Sequence, residues 1–191
     1  DNQQHQWLLT ANGLYKLSRD EKGEEELSSF FVAPPGKEKQ PFYEALESGA
    51  TLYFTSNKGC IWECNDEQFI LRELPTPSSL KFIRQLKEDK LFVGTASDGF
   101  FVYNPRKDQS VHYNTTVCKA LKDNCIREVY IDSHHEAWLR HNIMGVTHFN
   151  PESGNIDHFI LQDKYGKDIV DSRPEMYIYE DVNGSLWLHP S

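Results

Sequence analysis

The chain lacks most of what would announce a catalytic, nucleic-acid-binding or membrane-spanning protein. Its 191 residues set twenty Lys and Arg against twenty-nine Asp and Glu, for a net charge of −9. No basic stripe is present to track a phosphate backbone, which argues against nucleic acid as a partner. No apolar run approaches the roughly 18 residues that a bilayer span needs, so the segment itself is not expected to contact a membrane. Nor is there a charged-then-apolar start of the signal-peptide kind. Four cysteines are too few for a disulfide scaffold. Cys118 and Cys125 flank a six-residue loop, and spacing leaves open whether they bond or stay as two thiols. Cys60 and Cys64 fall in one expected strand, roughly 13 Å apart at the usual rise, too far to bond while it stays extended. Phosphate loops and nucleophile elbows are missing, because Ala96-Ser97-Asp98-Gly99 reads as a turn between strands. Helical periodicity is absent as well.

What the chain does have is aromatic residues, at 13% of the sequence, and a repeat. A unit of apolar strand, Thr, short turn, Gly and second apolar strand recurs four times, and a fifth copy begins. The first copy runs from Trp7-Leu8-Leu9-Thr10 to Gly13-Leu14-Tyr15, and the second from Leu52-Tyr53-Phe54-Thr55 to Gly59-Cys60-Ile61-Trp62, with one residue inserted. The third runs from Phe92-Val93-Gly94-Thr95 through Gly99 to Tyr103-Asn104-Pro105, and the fourth from Trp138 through Gly145 to Phe149-Asn150-Pro151. Leu186-Trp187-Leu188 opens the fifth. The leading positions, read as Trp7, Leu52, Phe92, Trp138 and Trp187, are spaced about 40 to 49 residues apart, the period of four-stranded propeller blades. An acidic turn precedes two of them, with Asp132 six residues before Trp138 and Asp181 six before Trp187. After Asn150-Pro151, the turn Glu152-Ser153-Gly154 leads into alternating Ile156, His158 and Ile160, which reads as an outer strand.

The pattern predicts an all-β chain of about four four-stranded antiparallel β-propeller blades. The expected blades are 42–75, 80–115 and 126–161, with partial blades at 7–32 and 175–191 in a single propeller segment. Because both ends fall inside a blade, the expectation is a fragment of a larger propeller. A small closed propeller, an open arc and two arcs paired into a ring all stay open, with the arc or its homodimer preferred, since bare strand edges promote pairing.

These residues resemble the two-component regulator propeller repeat, whose pattern is acidic-x-x-Gly-x-Leu-Trp-Ile-Gly-Thr, then Gly-Leu, then Tyr-Asn-Pro. The best matches are Glu180 to Leu188 and Phe92 to Pro105. The resemblance implies the sensor half of a hybrid histidine kinase of gut bacteria, a periplasmic address as part of an inner-membrane receptor, and oligosaccharide detection without catalysis in this segment. The chain departs from the family where Gly precedes Thr. Only Gly94 keeps it; Leu9, Phe54, Arg140 and His189 replace it, and Thr itself becomes His141 and Pro190.

Arg140 and His141 replace small residues at a strand end, where polar side chains can face a groove, and they are the expected ligand-binding residues. Asp132-Ser133-His134-His135-Glu136, with His141 and His148, carries metal-ligand chemistry. It falls on an expected hairpin turn, however, and reads as a solvated turn with no metal. No cofactor is expected. Trp7, Trp138 and Trp187 read as core aromatics filling space between sheets. Asn114-Thr115-Thr116 matches a glycosylation sequon and reads as an unused loop. The alternative functions are a fragment of a glycan-processing propeller enzyme and a structural propeller that scaffolds protein contacts.

Overall fold

The computed structural model describes residues 6–19, 22–29, 41–66, 68–87, 89–141, 145–160, 162, 164–167 and 176–190. The outer ends expected for three blades, at 30–32, 161, 175 and 191, lie outside these residues. Every element longer than a single turn or bridge among the described residues is a β-strand, and the chain divides into two compact units, Asp1–Ile83 and Arg84–Ser191.

In the first unit, β1 (Gln6–Thr10), β2 (Gly13–Arg19) and β3 (Glu25–Ser29) make one sheet in that order. Strands β4 (Phe42–Ser48), β5 (Thr51–Ser56), β6 (Cys60–Asn65) and β7 (Gln68–Glu73) make the next. The unit boundary falls inside β8 (Leu80–Gln85), the first strand of a sheet continued by β9 (Leu91–Thr95), β10 (Phe100–Asn104) and β11 (Gln109–Tyr113). The second unit goes on with a sheet of β12 (Ile126–Ile131), β13 (Ala137–His141), β14 (Val146–Phe149) and β15 (Ile156–Phe159). It ends with the pair β16 (Met176–Glu180) and β17 (Leu186–Pro190). Within each sheet, successive strands are neighbours, antiparallel and joined by short turns, as the period-two patterns required.

The repeated Gly has a steric cause. Gly99 sits at φ +67°, and a Cβ there would collide with the Tyr113 carbonyl at the end of the outer strand. The carbonyls of Leu74 and Phe159 approach Gly59 and Gly145 in the same way. The Thr four residues earlier closes the same turn, because the Thr95 hydroxyl donates to the Gly99 carbonyl at 2.8 Å and accepts from the Asp98 amide at 2.8 Å. Sequence, turn and sheet edge are thus tied at one point in the β8–β11 sheet.

Sheet faces follow a single rule within each unit. The face that carries the leading Trp, here called the indole face, packs on the opposite, aliphatic face of the following sheet. In the second unit, Tyr130, Trp138 and Val146 meet Ile178, Leu186 and Leu188 of the β16–β17 pair. Upstream, Phe100 and Tyr113 meet Phe149, each pair of rings 4.9 Å apart. In the first unit, Trp7, Leu9 and Leu14 meet Phe42, Phe54 and Trp62, with the Trp7 and Phe54 rings 5.6 Å apart.

This rule corrects the register of the second copy. Leu186 and Leu188, which flank Trp187, belong to the aliphatic face, so Leu52 and Phe54, which receive Trp7, must flank their own leading residue. That residue is Tyr53, and Ser56 takes the place of Thr. A one-residue slip sends every side chain to the other face of a strand, and the extra residue in this turn hid the slip. Phe54 is therefore not a bulky substitute for the family glycine. It is an ordinary core residue, fully buried.

Trp7 and Trp138 are partly buried between sheets, as expected. Trp187 is not, being 61% exposed. Where Trp138 has the His148 ring at 4.4 Å and Phe159 at 6.1 Å on its own sheet, the β16–β17 sheet has only two strands among the described residues. All four cysteines are free, with Cys60 and Cys64 buried in β6.

Candidate functional site

The site grows from the turn between β12 and β13. Asp132 is buried, and its Oδ1 accepts the backbone N–H groups of His134 (3.0 Å) and Glu136 (2.9 Å), an Asx-type turn that sets the hairpin. Its Oδ2 accepts the Trp138 indole N–H at 2.9 Å. Spacing explains the pairing: six residues take the chain round the turn and one step along β13, on the face where Trp138 lies. His135 occupies the left-handed position of this turn at φ +61°.

The turn delivers Glu136 to the neighbouring hairpin. Glu136 Oε2 lies 2.6 Å from His148 Nε2, and its Oε1 accepts the Asn150 side-chain amide. Asn150 Oδ1 in turn accepts the backbone N–H groups of Glu152 and Ser153, both at 2.9 Å, so the Asn of the aromatic-Asn-Pro signature is a turn cap. Across a cleft of about 220 Å³ lined by Lys87, His134, Glu136, Asn150, Pro151 and Glu152, the Lys87 ammonium donates to Glu152 Oε1 at 2.6 Å. That hydrogen bond, with the Lys87 charge, holds the Glu152 carboxyl below its ordinary range.

Asp132, Glu136 and His148 bring one ligand-type atom each within 4.8 Å of one another. The donor set nevertheless fits a cation poorly. Both Asp132 oxygens face N–H donors, and both Glu136 oxygens are engaged by His148 and Asn150. A metal would have to displace the bonds that build the turn. The expected cluster is also split, with His134 and His135 exposed on the turn and His141 on the other face of the sheet.

The two residues expected to bind ligand are separated in the same way. Arg140 lies on the indole face, its Nε 3.2 Å from Glu128 Oε2, with 16% of the side chain exposed. His141 is buried, 3% exposed, on the aliphatic face. Its Nε2 is 3.0 Å from the Thr147 hydroxyl, which is 3.0 Å from His158 Nδ1. Burial pushes the His141 imidazole below its ordinary value; Asp123 and the Cys125 backbone pull it back up, and His158 presses it down. Sequence reasoning missed Lys87 and Glu152, whose meeting across 65 positions leaves no local signal. The sequon residue Asn114 is likewise engaged, its amide on Asp98 and its Oδ1 on the Thr116 and Val117 amides.

No family model and no curated protein matches the chain. Solved structures do. The extracellular domain of the putative hybrid two-component system BT3049 from B. thetaiotaomicron superposes with a TM-score of 0.70 at 16% identity, over 98% of this chain and 26% of that one. The corresponding domain of BT4673 from the same organism gives 0.71 at 16% identity, over 96% and 23%. PorZ, a surface component of the type-IX secretion system of Porphyromonas gingivalis, gives 0.58 at 18% identity, over 94% and 27%. The chain spans about a quarter of the length of each. In fold, this chain is a set of β-propeller blades similar to those of bacterial extracellular sensor domains.

Proposed function

We propose that the chain is a non-catalytic, extracytoplasmic sensor segment of a hybrid two-component receptor, contributing to oligosaccharide detection and signal relay. The observation that carries this reading is the superposition of nearly the whole chain on two hybrid two-component extracellular domains. The repeat markers support it independently of any overall match. A periplasmic setting, in a receptor held in the inner membrane, belongs to the same proposal.

The site chemistry fits recognition better than turnover. Glycoside hydrolysis needs a carboxylic acid kept protonated beside a second carboxylate. Glu152 is held in its charged form by Lys87, and Glu136 is bound on both oxygens. The cleft instead mixes donors (Lys87, Asn150), acceptors (Glu136, Glu152) and the apolar ring of Pro151, a set suited to a hydroxyl-rich ligand. Arg140, partly exposed on the indole face, would supply a secondary contact outside this cleft, whereas His141 is buried and holds the Thr147 hydroxyl inside the sheet.

Calorimetric titration with a panel of oligosaccharides, paired with chromatography of the same mixtures, tests the reading. Binding without new products, weakened at least tenfold by Lys87→Ala, is expected. Turnover of any panel member, or no binding across the panel, would overturn it.

A further inference from the structure

His141, Thr147 and His158 form a chain of hydrogen bonds on the aliphatic face of the β12–β15 sheet. His141 Nε2 lies 3.0 Å from the Thr147 hydroxyl, and that hydroxyl lies 3.0 Å from Nδ1 of His158, the cross-strand partner of Thr147. Thr147 is fully buried and His141 is 3% exposed. His158 is half-buried, its ring laid over Gly145, where a Cβ would come within 2.9 Å of Nε2. At the inner end of the chain, His141 Nδ1 is buried and makes no hydrogen bond of good geometry among the described residues. The groups that act on His141 are Asp123 and the Cys125 backbone, from the segment between β11 and β12, and His158 from β15. Asp123 Oδ1 accepts the Cys125 amide at 2.9 Å, so carboxylate and backbone are tied to each other.

Counting protons constrains this chain. A hydroxyl has one hydrogen to give, so of the two ring nitrogens that meet Thr147, one donates and the other accepts. In the neutral pair, donation from His141 Nε2 leaves its Nδ1 bare, which suits a buried nitrogen without a partner, since orphaned N–H groups are the rarer fault. One added proton fits either direction of donation, and in both directions His141 Nδ1 then carries a hydrogen. A second would make both rings donate to one oxygen, strand the Thr147 hydrogen, and set two positive charges one hydroxyl apart in a buried site. We propose that His141 and His158 take up a single proton between them through Thr147, and that its arrival makes His141 Nδ1 a donor that draws the Cys125 backbone and Asp123 onto the end of β13. The sheet thereby carries a proton-responsive contact with the segment that leads into it. Burial and the charge of His158 both oppose a charge on His141, in keeping with a pair that titrates as one unit.

Long-range proton–nitrogen NMR spectra of the 15N-histidine-labelled chain test this from pH 8 down to the onset of acid unfolding, with rings assigned by His141→Gln and His158→Gln. Both rings should start with the hydrogen on Nε2, shift at one common midpoint and together gain one proton. The Cys125 amide, followed in uniformly labelled protein, should shift at that same midpoint. Thr147→Val removes the relaying hydroxyl at nearly constant volume, and the two midpoints should then part by about one pH unit or more; Thr147→Ser should rejoin them. Two rings that each reach the full imidazolium shift in the folded wild type, wild-type midpoints that already differ, or a Cys125 amide indifferent to pH would overturn the proposal. So would a Thr147→Val chain that titrates as the wild type does, and if that variant does not fold, the wild-type spectra alone decide.

Discussion

The Asp132–Trp138 and Asp181–Trp187 hairpins are wired alike and buried differently. In each, the Asp Oδ1 accepts two backbone amides, the Asp Oδ2 accepts the indole N–H at 2.9 Å, and a Tyr stands opposite the Trp. Yet Asp132 is buried and Trp138 covered, while Trp187 lies 61% exposed. The wiring is local and comes from an Asp six residues before a Trp. The burial comes from the next sheet in line, so the same motif is a core element in one place and an exposed one in another.

That contrast is easiest to break with the largest side chain. Trp138→Ala removes a ring held between sheets and should cost about 3 kcal/mol, whereas Trp187→Ala should cost less than about 1 kcal/mol. Urea unfolding followed by circular dichroism measures both, and equal losses would mean that burial does not separate the hairpins. Next in size, Asp132→Ala leaves two turn amides and an indole N–H without their acceptor at a buried site, a loss of about 2 kcal/mol. The same change at Asp181 should lower the melting temperature by less, since water reaches the freed donors.

The two sheets should also part company in pH. His141 has a folded pKa pushed below its ordinary 6.5, mainly by burial. The unfolded chain therefore binds the proton first, so this contribution is intact above pH 6.5 and fades as pH falls from there through the lowered folded value. His141→Gln should flatten that part of a melting-temperature profile. Asp181 is held below its ordinary 3.8, first by the Trp187 indole and then by the turn amides. Its contribution is present above pH 3.8 and lost as pH falls through the lower folded value, so Asp181→Asn should act only in that acid window.

The smallest effect is in the backbone. His135 and Gly184 occupy the same turn position at φ +61° and +79°. His135→Gly relieves a left-handed side-chain clash of about 1 kcal/mol, partly offset by the greater freedom of Gly in the unfolded chain. Gly184→His should shift stability in the opposite direction, and thermal melts of the two variants would show the mirrored signs.

Much of this was legible in the sequence, and the rest hid for physical reasons. The all-β architecture followed from in-register Gly and Thr, because Gly59, Gly99 and Gly145 each sit where a carbonyl at or just past the end of the outer strand leaves no room for a Cβ. The Asp-to-Trp spacing was visible as a pattern, and the structure supplied its meaning as a hydrogen bond. The register of the second blade was misread by one residue, since an apolar run such as Leu52-Tyr53-Phe54 alternates equally well from either start. Arg140 and His141 were singled out for polarity at a strand end, but neighbouring strand positions face opposite sides, and only packing tells which side is covered. The Lys87–Glu152 contact has no sequence signature at all.

The central claim is that sheet-on-sheet cover, not hairpin wiring, distinguishes the two tryptophans. Fluorine NMR of dilute 5-fluorotryptophan-labelled protein, with resonances assigned by single Trp→Phe changes and a soluble paramagnetic quencher added, reads that cover directly. The account predicts strong broadening of Trp187 and little of Trp138. Equal broadening of the two would contradict it.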